Sequence, residues 1–290
     1  MKDPKVSVII TTRNRLSLLK KAIDSVLSQT YKNIELIVVS DNSSDGTDEY
    51  CKSLNNITFV PLKSGVGGGN VARNMGIEIS SGEYIAFLDD DDYWCIDKIE
   101  KQIDLALSRK SDCVYCLRYY VNAQTNEVSK ETEVFCLEGD LSSRVFRHYL
   151  TSTSCLLVKR SILIDVGCFD VNIPKWQEYE LMIRLSLVTP IYYVKEALVY
   201  YLNDSSDKNR ISNQPERLRI AVKYILKKYK YRLLRLSPID FYLFLDTIAI
   251  EFLGKMKKHT LCYFLTTIFV AVNFKIKKIG KWKEYRIVNQ

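Results

Sequence analysis

Histidine is nearly absent from this chain, with only His148 and His259 among its 290 residues. Structural zinc sites combine cysteine and histidine at close spacing. Cys113 and Cys116 form a Cys-x-x-Cys pair inside a strand-like run, but no second pair completes a four-ligand site. The sequence therefore indicates neither a zinc centre nor a thiol redox motif.

An apolar signal segment is lacking as well, since the chain begins Met-Lys-Asp-Pro. The eight cysteines are scattered without a pairing pattern, which is typical of proteins in a reducing compartment. No repeat and no low-complexity tract interrupts the sequence. We therefore expect a cytoplasmic protein.

A run long enough to cross a membrane is also missing, because the apolar run at 261–274 is shorter than the roughly 20 residues that span a bilayer. Lysines flank this apolar run on both sides. From Lys208 onward the chain has 19 basic and 5 acidic residues, whereas the part before Lys208 has 23 basic and 29 acidic residues. Cations beside an apolar helix suit anionic lipid, so we expect this region to lie on the inner face of the cell membrane.

The alternative for the same run is that it packs on the rest of the protein or in a homo-oligomer while its lysines face water. The basic charge by itself also suits nucleic acid, but no base-stacking motif on a known scaffold accompanies it. We therefore expect no nucleic-acid partner.

Four consecutive carboxylates, Asp89 to Asp92, follow the apolar run Tyr84 to Leu88. Carboxylates this close repel one another, so water or a cation must neutralise them. Mg²⁺ and Mn²⁺ take oxygen ligands and complete their coordination with water and substrate phosphates. The run therefore predicts a divalent-metal site for a nucleotide diphosphate, unless it is an acidic loop that only caps the helix beginning near Ile96.

Polar loops follow four strand-like runs in the first half of the chain. Apolar strand patterns occupy 5–10, 35–39, 57–60 and 84–88, and helical spacing appears at 16–30 and 70–80. This alternation predicts an α/β fold with a mostly parallel sheet flanked by helices. Ligands of such sheets bind where the strands end, so the four loops should converge on one site.

Each loop alone also suits a plain role, as a surface turn, a helix cap or a flexible connection. Together they would bring hydroxyl groups, a guanidinium and several carboxylates to one edge of the sheet, which favours a ligand site. The glycine run from Gly65 to Gly69 precedes a helix but lacks the Gly-Lys-Ser/Thr that closes a phosphate loop.

These motifs together resemble family 2 of the nucleotide-sugar glycosyltransferases, enzymes with the GT-A fold. The matching stretches are Val-Ser-Val-Ile-Ile-Thr-Thr-Arg-Asn-Arg from Val6, Glu-Leu-Ile-Val-Val-Ser-Asp-Asn-Ser-Ser-Asp-Gly-Thr from Glu35, Asn-Val-Ala-Arg-Asn-Met-Gly from Asn70, and Gly-Glu-Tyr-Ile-Ala-Phe-Leu-Asp-Asp-Asp-Asp from Gly82. The likeness is continuous over about the first hundred residues and looser at 167–170 and 176–185.

The resemblance implies contacts to the nucleotide sugar. Thr11 and Asp41 fall where the family holds the nucleotide base, usually uracil, and Arg13 lies in the adjoining loop. Arg73 matches the family's Ala-Arg-Asn, whose part is to brace the site. Ser40 departs from the pattern, because the family often has an acid there, so a role for that first acid is not expected.

The resemblance also places the aspartates. Asp89, Asp90 and Asp91 occupy the family's Asp-x-Asp position, which binds the ribose and a divalent metal, Mn²⁺ or Mg²⁺, on the diphosphate. We expect Asp91 to be the principal metal ligand with Asp89 beside it, and Asp89 and Asp90 to contact the nucleotide sugar.

Sugar transfer with inversion needs a second, separate carboxylate as general base. Glu178 and Glu180 are the candidates, since 176–187 reads as a helix after Pro174. The resemblance selects Glu178, which stands at the family's catalytic Asp position. The alternative is that Glu178 is a first-turn acid favoured by the helix dipole.

The second half of the chain should complete the acceptor side. We predict strands at 112–120, 154–159, 191–194 and 198–201, a linker and helix at 138–149, and helices at 215–231, 238–253 and 259–279.

The sequence thus predicts a GT-A catalytic domain at 1–207, with a nucleotide-sugar part at 1–110 and an acceptor-side part at 111–207, followed by a basic helical region at 208–290. The predicted function is inverting, metal-dependent transfer from a nucleotide sugar, most simply a UDP-sugar, to a hydroxyl of a saccharide or lipid-linked saccharide in surface polysaccharide assembly. A nucleotidyltransferase and a non-catalytic sugar-nucleotide or metal-binding module are the alternatives.

Overall fold

The computed structural model describes residues 3–63, 65, 67–131, 136–204, 206–207 and 210–253. The strands are β1 (Val6–Thr12), β2 (Ile34–Ser40), β3 (Thr58–Pro61), β4 (Tyr84–Asp89), β5 (Tyr93–Trp94), β6 (Cys113–Asn122), β7 (Val128–Lys130), β8 (Leu157–Lys159) and β9 (Ile191–Asn203). The helices are α1 (Leu16–Leu27), α2 (Thr47–Ser53), α3 (Gly69–Ile79), α4 (Lys98–Arg109), α5 (Arg160–Asp165), α6 (Gln177–Leu185), α7 (Pro215–Lys228), α8 (Lys230–Leu233) and α9 (Pro238–Leu253).

The first four strands of the chain lie parallel to one another at one end of the sheet, in the spatial order β3-β2-β1-β4. β1 lies between β2 and β4, so that Thr11 pairs with Val39 on one side and Asp89 on the other. Strands β8, β6, β9 and β5 then extend the sheet with mixed directions, and β7 forms a hairpin edge on β6. The predicted α/β fold is confirmed, and the ends of β1, β2 and β4 meet at one edge.

Helices cover both faces of the sheet, which explains why the central strands are apolar almost without interruption. Ile9 and Ile37 face one hydrophobic cluster, while Val8 and Val38 face the other. Side chains of α3, α6, α7 and α9 pack in the first cluster, and those of α1 and α4 pack in the second. The sheet therefore lies in the middle of a three-layer core.

One strand replaces the two that the sequence predicts at 191–194 and 198–201. β9 runs without a break and pairs in parallel with β6, but the register skips from Val194 to Ala197 opposite Cys116 and Leu117. Lys195 and Glu196 are exposed at this irregularity. A bulge that turns two polar residues to solvent breaks the apolar pattern without ending the strand, which is why the sequence prediction was wrong.

The segment 138–149 also differs from the predicted linker and helix, since it contains only a 3₁₀ turn at Val145–Arg147. Gly139 exchanges two backbone hydrogen bonds with Ile191, of 2.7 and 3.0 Å. This pairing holds the beginning of the segment in an extended bridge beside β9, so the segment cannot form a continuous helix there.

The described C-terminal helices pack directly on the core of the α/β fold. Leu218, Ile225 and Phe244 are fully buried in the cluster that also contains Leu181 of α6. No helix among the described residues has both the length and the apolarity to span a membrane. The division between a catalytic domain and a C-terminal region after residue 207 stays a prediction. The helix predicted at 259–279, its apolar run and the flanking lysines lie outside the described residues.

Candidate active site

One large cavity opens at the edge of the sheet where β1, β2 and β4 end, and its volume is about 1430 Å³. All the residues that the sequence assigns to donor, metal and base line this cavity: Thr11, Arg13, Asp41, Arg73, Asp89, Asp90, Asp91 and Glu178. Residues separated by more than a hundred positions thus share one space. Their individual roles stay predictions.

The glycine run makes a close approach to Asp41. The carboxylate of Asp41 accepts a hydrogen bond of 2.8 Å from the backbone N–H of Gly68, and the Arg13 guanidinium lies 3.8 Å from it. A Cβ atom at Gly67 would stand 2.6 Å from Asp41 Oδ1. A side chain at this position would have to displace the Asp41 carboxylate, so the absence of a Cβ at Gly67 permits the close approach of this loop to Asp41.

The consecutive aspartates diverge to different partners. Asp89 Oδ1 binds Arg73 Nη2 at 2.6 Å. Asp90 accepts hydrogen bonds from Arg15 Nη1 at 3.1 Å and from the backbone N–H of Arg13 at 3.3 Å. Their repulsion is thus relieved in part by arginine, within a loop where side chains point in different directions.

Asp91 is held between two arginines, with Arg15 Nη1 at 3.0 Å and Arg210 Nη2 at 3.3 Å. Arg15 also reaches Asp207 at 3.4 Å. Arg15 and Arg210 are site residues that the sequence analysis missed. Arg15 is the last residue of the recognised stretch that begins at Val6 and could have been noticed, whereas Arg210 is brought to Asp91 from far along the chain with no local signal.

Asp92 points away from the cavity into the protein. Its carboxylate accepts hydrogen bonds from Ser154 Oγ at 2.6 Å and from the backbone N–H of Leu202 at 3.0 Å, and burial holds its pKa well above the ordinary value. Ser154 Oγ also accepts a bond from the Asp89 N–H. Asp92 thus anchors the loop after β4, which the run of four identical residues did not reveal.

Burial makes Asp90 and Asp91 of this loop harder to ionise than ordinary carboxylates. Burial raises the pKa of Asp90 to about 6, and the neighbouring Asp91 charge adds to this. Burial also raises the pKa of Asp91, although Arg210 and Arg15 oppose the shift. These carboxylates remain harder to ionise than usual even beside two guanidinium groups. Additional positive charge nearby would therefore favour their ionised forms.

A divalent cation would have to draw on ligands beyond the protein. Among the residues that the structure describes, no group of three or more His, Cys, Asp and Glu side chains could hold a metal ion. Asp91 and Asp89 supply oxygen donors of the kind that Mg²⁺ and Mn²⁺ prefer, and diphosphate oxygens and water would complete the coordination. The residues fit such an ion in chemistry, and the metal stays a prediction.

Helix α3 is fastened to the segment before α6 by its polar side chains. Asn74 exchanges hydrogen bonds with the backbone of Phe169, of 2.8 and 2.9 Å, and Asn70 donates to the Asp170 carbonyl at 2.7 Å. Arg73, bound to Asp89, lies 5.4 Å from the centre of the Phe169 ring. The Ala-Arg-Asn motif therefore connects the aspartate loop to the segment before α6.

Glu178 lies in the first turn of α6, after Trp176 enters the helix in a left-handed conformation with φ of 63°. Its side chain is buried and lines the cavity. Tyr149 donates a hydrogen bond to Glu178 Oε1. Burial raises the pKa of Glu178 to about 7, and the positive charges of Arg73 and Arg118 offset this only in part.

Glu180 is engaged differently, although it is only two residues away. It is fully buried and bound by Arg184 at 2.6 Å, Tyr229 at 2.6 Å and Lys228 at 2.8 Å. Burial opposes its ionisation, but the hydrogen bonds and charge of Arg184 and Lys228 leave its pKa below the ordinary value. Glu180 therefore ties α6 to α7, and Glu178 is the carboxylate that faces the cavity.

Comparison with known proteins identifies the family. The profile of glycosyl transferase family 2 matches residues 7–167. An uncharacterized glycosyltransferase of Rickettsia typhi is 31% identical over 296 aligned residues, which cover 96% of this chain and 93% of the relative. The chain belongs to glycosyl transferase family 2 and is a glycosyltransferase, so the resemblance seen in the sequence is confirmed.

Two further proteins are similar to this chain, one in sequence and one in structure. The UDP-Glc:alpha-D-GlcNAc-diphosphoundecaprenol beta-1,3-glucosyltransferase WfaP of Escherichia coli is 38% identical over 187 residues, which cover 63% of this chain and 70% of the relative. The crystal structure of S. aureus TarS 1–349 in complex with UDP superposes with a TM-score of 0.61 at 21% identity and covers 81% of this chain and 70% of that chain. The GT-A fold is therefore confirmed.

Proposed function

We propose that this glycosyltransferase moves a sugar from a UDP-sugar to a hydroxyl of a saccharide or lipid-linked saccharide, with inversion at the anomeric carbon. The observation that carries the proposal is the arrangement of the cavity, in which the aspartate loop and the buried Glu178 line the same space. Family membership favours this reaction over nucleotidyl transfer and over a non-catalytic binding module.

Glu178 is the proposed general base. A base works best when its pKa is close to the operating pH, and burial raises the pKa of Glu178 to about 7. The base takes the proton of the acceptor hydroxyl as its oxygen attacks the anomeric carbon, and the nucleotide diphosphate departs from the opposite face with the bonding electron pair.

The donor end of the cavity is assigned to Thr11, Arg13 and Asp41 for the base and to the aspartate loop for ribose and diphosphate. Binding of UDP by the structural neighbour TarS supports a uridine nucleotide. Asp91 and Asp89 would hold a divalent cation, Mn²⁺ or Mg²⁺, which when bound supplies positive charge to the departing diphosphate. Arg15 and Arg210 stand at the same place and orient the Asp91 carboxylate.

The acceptor is proposed from the relatives and from the cavity. WfaP is named for transfer to a GlcNAc-diphosphoundecaprenol acceptor, which supports a lipid-linked saccharide and a place in surface polysaccharide assembly. The cavity is large enough to hold more than a nucleotide sugar, because small-molecule sites usually occupy about 300–1,000 Å³ and this one reaches about 1430 Å³.

A lipid-linked acceptor suits a cytoplasmic enzyme that sits on the inner face of the membrane, and a surface of the described C-terminal helices supports this. Its members are apolar or basic and exposed, and we name them the basic apolar patch: Lys227, Lys230, Tyr231, Leu234, Arg235, Ile239 and Tyr242. Tyr231 and Leu234 are 68% and 64% exposed. Cations around exposed aromatic and aliphatic side chains match an anionic lipid surface.

The proposal is tested by incubating the protein with a panel of nucleotide sugars, with and without Mn²⁺, and following the thermal shift and the release of UDP. A ligand that binds the native state raises the apparent melting temperature, so UDP-sugars should stabilise the protein more than their guanosine or cytidine counterparts. Radiolabel from the sugar must appear in an acceptor that is free of nucleotide. Label that remained on a nucleotide in the product would overturn the proposal.

The base is tested with Glu178→Gln, which should keep donor affinity and lower turnover by about 10²- to 10⁴-fold, the usual contribution of general-base catalysis. Glu180→Gln is the matched control. It removes the same charge at a position only two residues from Glu178, but from a side chain that does not line the cavity. Its turnover per folded molecule should stay close to wild type. Equal losses in both variants would refute the assignment.

A further inference from the structure

Tyr149 is the direct hydrogen-bonding neighbour of Glu178. Its phenol donates to Glu178 Oε1, and both side chains line the active-site cavity. Tyr149 lies in the extended chain that follows the 3₁₀ turn at Val145–Arg147, so the contact joins α6 to a separate segment. One oxygen of the carboxylate is thereby fixed from outside its own helix.

The ring of Tyr149 is itself held in place. It stacks on Tyr179 with ring centres 6.3 Å apart and planes inclined by 21°. Tyr179 packs against Trp176 at 5.1 Å and donates a hydrogen bond of 3.0 Å to the carbonyl of Phe146. Because Phe146 and Tyr149 belong to the same segment, these contacts set the position of the Tyr149 hydroxyl relative to Glu178.

Other charged groups act on Glu178 through space and not by contact. Arg73 from α3 and Arg118 from β6 favour its ionised form, and Asp89 from β4 opposes it. Arg73 is bound to Asp89 at 2.6 Å, and Arg118 is bound to Glu131 at 2.7 Å. Tyr149 is therefore the group best placed to orient the carboxylate.

We propose that Tyr149 is a positioning residue for the general base: its hydroxyl holds Glu178 Oε1 so that Oε2 faces the acceptor. This inference rests on the proposed role of Glu178. The acceptor proton passes to Oε2, the acceptor oxygen bonds to the anomeric carbon, and the nucleotide diphosphate leaves with the electron pair of the broken bond. Tyr149 keeps its own proton throughout.

The test is Tyr149→Phe, which keeps the stacked ring and deletes the hydroxyl. A hydrogen bond donated to a carboxylate favours its ionised form, so removing it should raise the pKa of Glu178 by about one pH unit. Protein labelled with ¹³C at the glutamate carboxyl carbons reports this by NMR titration without any substrate, and the resonance that disappears in Glu178→Gln assigns the signal.

The same variant should shift the acidic limb of kcat/KM for UDP release toward higher pH by the same amount. The nucleotide sugar that supports turnover in the screen is the probe, and its KM should stay unchanged. Tyr115→Phe is the matched control, because it loses a buried hydroxyl that donates to the Leu137 carbonyl and leaves the bond from Tyr149 to Glu178 and its supporting contacts in place. Its acidic limb should coincide with that of wild type.

A Tyr149→Phe protein whose Glu178 titrates as in wild type would overturn the inference, and so would an equal shift in Tyr115→Phe. The proposed base has its own criterion, since turnover that survives in Glu178→Gln would remove Glu178 from the mechanism. In that case the NMR titration still reports whether Tyr149 controls this carboxylate, so the two failures are distinguishable.

Discussion

The burial of Glu178 should make the protein less stable in the pH range where it is proposed to act. Its ordinary pKa of 4.5 rises to about 7 in the folded protein because the charged form is desolvated. A carboxyl group with a raised folded pKa opposes folding once the unfolded chain ionises. Stability is therefore lost as the pH rises from about 4.5 through about 7, and the loss is complete near pH 8.

The magnitude follows from the two pKa values. Each pH unit of difference corresponds to about 1.4 kcal/mol, so the ionised Glu178 should lower the free energy of unfolding by about 3 kcal/mol at pH 8 relative to its protonated form. Glu178→Gln removes this ionisation, and the amide oxygen can still accept the hydrogen bond from Tyr149. The variant should gain stability over wild type as the pH rises, by about 3 kcal/mol between pH 4.5 and pH 8.

Urea unfolding followed by circular dichroism at pH 5, 6, 7 and 8 measures this difference. Glu180→Gln is again the informative control, because Glu180 neutralises Arg184 and Lys228 in a buried site. Removing one partner of a buried ion pair typically costs about 3–5 kcal/mol, so this variant should be less stable than wild type. If the stability of Glu178→Gln ran parallel to wild type at every pH, Glu178 would not have the raised pKa on which its role as base depends.

Two further predictions concern the donor and the membrane. Calorimetry should show that UDP binds more tightly with Mn²⁺ than in chelator and that Asp91→Asn loses this difference, because Asp91 would hold the ion whose positive charge attracts the diphosphate. Equal affinity for UDP in chelator and in Mn²⁺ would disprove this role of the metal. The full chain should sediment with phosphatidylglycerol vesicles and not with phosphatidylcholine vesicles. The Lys227→Glu/Lys230→Glu variant should sediment less than the Lys20→Glu/Lys52→Glu control, and equal sedimentation of the two variants would exclude the basic apolar patch.

The parallel half of the fold was predictable because its signals are local. Apolar strands that end in polar loops fix which residues reach the edge of a parallel sheet, so the convergence of Thr11, Asp41 and Asp89 follows from the pattern. The single strand β9 could not be predicted in the same way, since its bulge is defined only by the pairing with β6. Local periodicity carries no information about such long-range register.

The same limit applies to the site. Glu178 was selected by its place in a family motif, and its position in the cavity agrees with that choice. Arg210 and Tyr149 belong to no motif, and they reach the site only because the chain folds back on the sheet. Residues that act through tertiary contact are missed by any argument that proceeds along the sequence.

The inward anchoring of Asp92 changes how the acidic run tolerates insertion and deletion. A deletion of one aspartate leaves three in the sequence, and an alignment would place the gap at any of the four positions with equal merit. In space the four are not interchangeable, because one is buried against Ser154 and Leu202 while the others face the cavity. A shortened loop must either pull a cavity-facing carboxylate into the buried position or leave that position empty. A deletion that looks harmless in an alignment would therefore change which aspartates face the cavity.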